Sequence, residues 1–291
     1  MPDHMQRNVE HSSHQAKTVM YIEAPLETIW YYLATPAGMN AYLTDVATIE
    51  SRGEELTVGD TIRIVIGDLV NEALCVACEK PRLLTLEDHF QPVLPDGTVC
   101  DYRIRTSFLL EACENMTKVS VIAEGYDGDD FMQWIRESGE MGWRQSLFNM
   151  KNVIELGLDL RNEIFGYPRL GVSNCTATEE KIRQLGLDPS IVRGNYLLEV
   201  YPNSPAAKAG LQAGDLVMQI GKTKTATYRQ FVQALGAAYG SPQEVKIVYY
   251  RQGECCQTTA RLSYAAEYTG LFDPTEIPLE QVAKQRQKQV E

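Results

Sequence analysis

Apolar and polar residues alternate with a period of two along much of the first half of this chain, the spacing that places every second side chain on one face of a strand. Thr18 to Glu23 opens the series. Val46 to Glu50, Thr61 to Ile66, Glu72 to Cys78, Leu83 to His89, Tyr102 to Glu111 and Lys118 to Glu124 continue it. Turn residues separate them at Val58-Gly59-Asp60, Pro95-Asp96-Gly97 and Glu114-Asn115, which predicts an antiparallel meander. Between the first two strands, Ala24-Pro25 opens a helix whose apolar side is Ile29, Trp30 and Leu33, with Pro25 as its first residue and Glu27 in its first turn. Thr35-Pro36-Ala37-Gly38 is expected to stop that helix. The period changes to 3.6 from Phe131 to about Leu160, where Trp143, Leu147, Met150, Ile154 and Leu158 fall on one face. Gly139 and Gly142 predict a bend early in this helix.

Beyond Leu160 the pattern becomes short strands and short helices. Gly194 to Val200 reads as a turn and strand, followed by Ser204 to Asp215 (SPAAKAGLQAGD) and an apolar run from Leu216 to Ile220. Ser204 is placed to cap a one-turn helix begun by Pro205, Gly210 to end it, and Leu211 to return to a core. Thr176 with Glu179 predicts a capping box for an inserted helix ending at Gly186, and Thr227 with Gln230 another for a helix from Tyr228 to Leu235. Val245 to Arg251 and Cys255 to Leu262 close the region as strands. Glu276 to Glu291 is polar and reads as a frayed helix.

Composition narrows the function classes. With 291 residues, 44% hydrophobic and 23% charged, the chain has material for two cores of ordinary size. A net charge of -12 argues against nucleic acid and anionic membrane surfaces as partners. No apolar run approaches the roughly 20 residues that span a bilayer, and the polar start (MPDHMQRNVEHSSHQ) has no apolar segment of the kind secretory signals carry. Seven cysteines, odd in number and scattered, fit reduced thiols, so the expected location is the cytoplasm.

Catalytic and metal chemistry has little support. Glu87, Asp88 and His89 are consecutive in a strand, so their side chains alternate and do not converge. Asp127, Asp129 and Asp130 lack the spaced ligands of a calcium loop and fit a helix start. His11 and His14 lie in a polar tail, and Cys255-Cys256 has neither zinc nor redox spacing. There is no phosphate loop, nucleophile elbow or zinc-protease helix. The expectation is a non-enzyme without cofactor or metal.

The Ser204–Asp215 stretch resembles the small-helix segment of bacterial PDZ domains, and the strand before it, the apolar-Gly-apolar run Leu170-Gly171-Val172, the helix from Tyr228 and the closing strands stand in that family's order. The resemblance implies strand addition of a partner's C-terminus or internal strand, with the N–H groups of Leu170, Gly171 and Val172 holding the carboxylate. Gly171 leaves room for that approach. Tyr228, Val232 and Leu235 would form the far wall; with Tyr228 in place of the histidine of many relatives, an apolar C-terminus without a Ser/Thr requirement is expected.

The first half resembles the START-like superfamily, in the branch named for the activator of the heat-shock chaperone ATPase. The carrying stretches are Ile22-Glu23-Ala24-Pro25-Leu26-Glu27-Thr28-Ile29-Trp30 with Thr35-Pro36, and Gly142-Trp143-Arg144-Gln145-Ser146-Leu147-Phe148-Asn149-Met150-Lys151 through Leu156-Gly157. Tyr42 stands where a tryptophan is often found. The implied fold is a helix-grip with an apolar cavity, for which Trp134, Trp143 and Phe148 are candidate lining residues. The expected organisation is α+β: a disordered tail over 1–15, a helix-grip domain over 16–160 (a curved antiparallel sheet around a long C-terminal helix), a linker over 161–167, a PDZ-like partly open β-barrel with two helices over 168–265, and a polar tail over 266–291. The corresponding function is a two-module adaptor or co-chaperone that binds protein C-termini or strands and, in its first module, a hydrophobic small molecule or a protein. The alternative is an enzyme or sensor acting on that small molecule and localised by the PDZ module.

Overall fold

A computed structural model describes residues 14–51, 53–66, 69–91, 93, 97–240, 244–265 and 281. His11, part of the Pro95-Asp96-Gly97 turn and nearly all of the C-terminal tail lie outside the described residues.

The first unit begins with β1 (Gln15–Ile22), whose inward residues Ala16, Thr18 and Ile22 are buried while their neighbours face out. Pro25 is extended and acts as the N-cap of α1 (Leu26–Ala34), one position earlier than expected. Thr35-Pro36 ends α1 and also starts a second helix, α2 (Pro36–Tyr42). The extended backbone before a proline breaks the first helix, Thr35 then caps the Gly38 N–H at 3.0 Å, and Pro36 occupies a first-turn position where its missing N–H does no harm. Gly38 lets α2 fold back on α1, because a Cβ there would sit 2.1 Å from the Tyr31 carbonyl oxygen.

Six strands follow: β2 (Val46–Ile49), β3 (Thr61–Ile66), β4 (Leu69–Glu79), β5 (Leu83–Phe90), β6 (Tyr102–Cys113) and β7 (Met116–Glu124). They form one antiparallel sheet in the order β1-β7-β6-β5-β4-β3-β2. The sheet grips α3 (Asp130–Leu156), a helix that runs unbroken through Gly139 and Gly142. Asp129 caps it, accepting from the N–H groups of Phe131 and Met132, which explains the acidic cluster as a helix start. Leu147 and Met150 are fully buried, each contributing on the order of 2–3 kcal/mol, and Trp143 meets Phe108 edge-to-face at 5.0 Å. Leu158, expected on the same face, lies beyond the left-handed Gly157 cap and is exposed.

The chain leaves α3 under tight control. Buried Asn149 donates to the Tyr42 carbonyl and Asp159 and accepts from the Leu160 N–H, while Arg161 reaches the carbonyls of Asn40 and Thr44. A short helix, α4 (Arg161–Phe165), occupies most of the expected linker.

The second unit is built from β8 (Val172–Thr176), α5 (Glu179–Gln184), β9 (Asn195–Val200), α6 (Pro205–Lys208), β10 (Leu216–Ile220), β11 (Thr223–Lys224), α7 (Tyr228–Gly236), β12 (Glu244–Arg251) and β13 (Glu254–Arg261). Its sheet runs β13-β12-β10-β9-β8, with β11 paired to β10. Ser204 caps α6 and Thr227 with Gln230 forms a reciprocal box on α7, as their spacing predicts. The inserted α5 is capped by Thr178 rather than Thr176, because Thr176 is still the last residue of β8 and its hydroxyl accepts from the Tyr228 N–H. Leu197, Leu211, Val217, Ile220, Phe231 and Ile247 fill the core. The whole is α+β: a helix-grip followed by a PDZ-like barrel with its helices.

Candidate functional site: the groove between β8 and α7

A cavity of about 240 Å³ opens between the edge strand β8 and the helix α7. At its head is the loop Arg169-Leu170-Gly171. The Leu170 carbonyl accepts from Ala206 at 2.9 Å and the Gly171 carbonyl from Tyr201 at 3.0 Å, whereas neither N–H of this pair has an acceptor among the described residues. Gly171 has φ +79°, a left-handed backbone that favours glycine. Unpartnered N–H groups in a concave turn suit an oxyanion. Arg169 adds a positive charge in the same lining, held 4.0 Å over the Tyr167 ring and donating to the Phe165 carbonyl.

One side of the groove is β8, whose paired neighbour in the sheet is β9. Both main-chain groups of Thr176 point away from β9, since they bond to α3. Strand alternation then puts the N–H and C=O of Asn174 and Val172 on the same outer side. The opposite side is α7: Tyr228, Val232 and Leu235, spaced for one face, all line the cavity, joined by Phe231. Leu170, Val232 and Leu235 are also largely buried, so they serve core and groove together. Burial pushes the Tyr228 hydroxyl above its ordinary pKa, with Tyr167 and Glu137 nearby adding to the effect.

The three residues expected to line a cavity in the first unit are dispersed. Trp143 packs in the core against Phe108, Phe148 is 48% exposed, and Trp134 lines the groove of the second unit. The reason is the helical period: Met132 and Ile135 of the same turns pack on the sheet, and Trp134 lies on the face that meets β8 and α7. Arg169, Tyr167, Asn174, Tyr201 and Phe231 also line the groove without having been singled out. Phe231 was within reach, one turn on from Tyr228, and Arg169 immediately precedes the apolar-Gly-apolar run.

Asp88 carries a second local feature. It faces inward from β5, accepting from Asn71, while neighbouring Glu87 and His89 face out to Arg105 and Asp101. Burial pushes the Asp88 carboxyl up to about 7. The three acidic and basic side chains do diverge as alternation requires, but the middle one is an interior titratable group.

Residues 196–248 match the family model described as PDZ domain. Among curated proteins, the chain is 28% identical over 115 residues to a serine protease Do-like HtrA of Lactococcus lactis subsp. cremoris, covering 40% of this chain and 28% of that protein. It is 32% identical over 89 residues to a probable periplasmic serine protease do/HhoA-like of Haemophilus influenzae, covering 31% of this chain and 19% of that one. The chain thus spans less than a third of the length of these curated relatives. Among solved structures, the Aha1 dimer from Colwellia psychrerythraea covers 49% of this chain and 97% of its own, at 22% identity and a TM-score of 0.39. The PDZ domain of HtrA3 bound to a phage-derived ligand (FGRWV) covers 33% and 85%, at 21% identity and a TM-score of 0.28. This chain therefore carries a PDZ domain, matched over residues 196–248, behind a helix-grip unit.

Proposed function

We propose that the chain is a non-catalytic adaptor or co-chaperone that receives the C-terminus of a partner protein along β8, its carboxylate held by the Leu170, Gly171 and Val172 N–H groups and by Arg169. The observation that carries this reading is the coincidence of three things at one end of the groove: N–H groups without an acceptor among the described residues, a cation, and a strand with no further strand paired to its outer side among the described residues. The apolar lining of Leu170, Phe231, Val232 and Leu235 favours an apolar last residue. Seven free thiols support a reducing compartment, and hence the cytoplasm. No helix among the described residues is long and apolar enough to cross a membrane.

The test is a random C-terminal octamer library displayed against the full chain, with the enriched peptides remade as free acids and as C-terminal amides. Free acids are expected to bind at least tenfold more tightly than amides, and Gly171→Ala to weaken them. Equal affinity of acid and amide would refute carboxylate capture.

A second reading has one observation in its favour. Asp88 with Asn71 places a polar pair inside the helix-grip, where an apolar molecule bearing a hydrogen-bond donor would find a partner. Native mass spectrometry of the freshly purified protein tests it: a releasable mass of a few hundred daltons supports it, and a bare chain returns the weight to the adaptor reading.

A further inference from the structure

The groove is not open along its whole length. Its far end is closed by α3, which belongs to the first unit. Gln133 donates through its amide to the Thr176 carbonyl at 2.8 Å, and Glu137 accepts from the Thr176 N–H at 2.8 Å. The two side chains are joined to each other at 3.1 Å. A neighbouring strand would make the same two bonds to Thr176, so this pair of side chains substitutes for one rung of an added strand. Trp134, between them in sequence, turns into the groove and lines it together with Tyr228. Asp130, one turn earlier, meets Lys181 of α5 at 2.5 Å and extends the contact.

The consequence can be counted in rungs. Outward-facing residues on β8 are Val172, Asn174 and Thr176, and an antiparallel partner engages alternate residues at each. With the carboxylate at the Leu170-Gly171 turn, the last residue of a tail pairs at Val172 and the third from the end at Asn174. The fifth from the end would need Thr176, which α3 has already taken. Resting on the proposal that this groove takes C-termini, we infer that it reads only the last four residues of a tail, α3 setting that limit and Trp134 forming the wall at which the tail turns away. The limit is a specificity device: selectivity is confined to the terminal residues, and nothing upstream is read by main-chain pairing.

Octamers recovered from the random C-terminal library, and tetramers carrying the same four last residues, are titrated against the full chain and against the Gln133→Ala/Glu137→Ala double variant. For the wild-type chain the enriched sequences should share preferences at the last four positions alone, and octamer and tetramer should bind within twofold of each other. For the double variant the octamer should gain at least fivefold over the tetramer. A wild-type octamer binding fivefold better than its tetramer, or a folded double variant with no length dependence, overturns the inference while leaving C-terminal capture intact. Failure to enrich any peptide on either protein overturns both. Should the variant not fold, the wild-type length comparison decides alone.

Discussion

Asp88→Asn is expected to leave the helix-grip unit's stability nearly unchanged at pH 4 and to raise it at pH 8. Asp88 faces inward from the sheet, opposite Ala73 on β4 and Ile104 on β6, accepting from Asn71 and with Tyr126 close by. Burial pushes the carboxyl up to about 7, against the lowering effect of the Asn71 bond, whereas in the unfolded chain an aspartate titrates near 4. The folded state therefore holds the proton more tightly than the unfolded state. Its contribution is fully present below about pH 4, is lost as pH rises toward 7, and is constant above that. The whole interval corresponds to ~4 kcal/mol. Because Asp88 is only partly buried by its accessible surface, water reaching the carboxylate reduces the difference, and about 2 kcal/mol is the working figure. Asparagine keeps the size and the hydrogen-bonding partner but cannot ionise, so it removes the pH dependence without opening a cavity. Urea unfolding of the full chain with Trp134→Phe as the common background, followed by tryptophan fluorescence, reports the first unit, since Trp30 and Trp143 pack in its core while Trp134 lines the groove of the second unit. Stabilities at each pH from 4 to 8 are subtracted, variant minus wild type. A gap that opens by about 2 kcal/mol between pH 4 and 8 is expected. A gap that stays constant over that range would show that the carboxyl titrates normally and that the interior placement of its charge is wrong.

Two further substitutions probe packing, one in each unit. Arg251→Ala should destabilise the second unit by about 3 kcal/mol, because Asp215, 1% exposed, receives two bonds of 2.7 Å from that guanidinium and would be left charged and buried. Hydrogen exchange of the β10 and β12 amides reads this, and Arg251→Lys should recover only part of it, lacking the planar fork. Gly38→Ala should cost roughly 2 kcal/mol, since a Cβ would meet Tyr31 and Tyr32 backbone atoms at 2.1 and 2.6 Å and force α2 off α1. A thermal midpoint equal to that of wild type would remove the packing argument.

Much of the groove was legible in the linear pattern because its parts are local. Ser204-Pro205, the Thr227-Gln230 box and the Leu170-Gly171-Val172 run each act within a few residues, through caps and turn geometry that depend on the chain's immediate neighbours. The strands of the first unit were legible for the same reason, their alternation reporting one buried and one exposed face. Thr176 was misassigned for an instructive reason. Its spacing to Glu179 satisfies a capping rule, yet its backbone is needed as the end of β8 and its hydroxyl is taken by Tyr228, fifty-two residues away in sequence.

The sequence by itself determined that this chain folds as two antiparallel α+β units, that the second carries the loop, strand and helix that line one groove, and that acidic residues at Asp129-Asp130 begin a long helix. Tertiary structure alone decided that the first turns of that helix, whose Met132 and Ile135 pack on their own sheet, present Gln133, Trp134 and Glu137 to β8 and α7 of the other unit. It also decided that Asp88, between two neighbours turned outward to Arg105 and Asp101, would face inward onto Asn71. Periodicity specifies which side of an element is apolar. It does not specify which distant surface that side meets, because such a contact depends on the relative placement of elements set by the turns and packing of the whole chain.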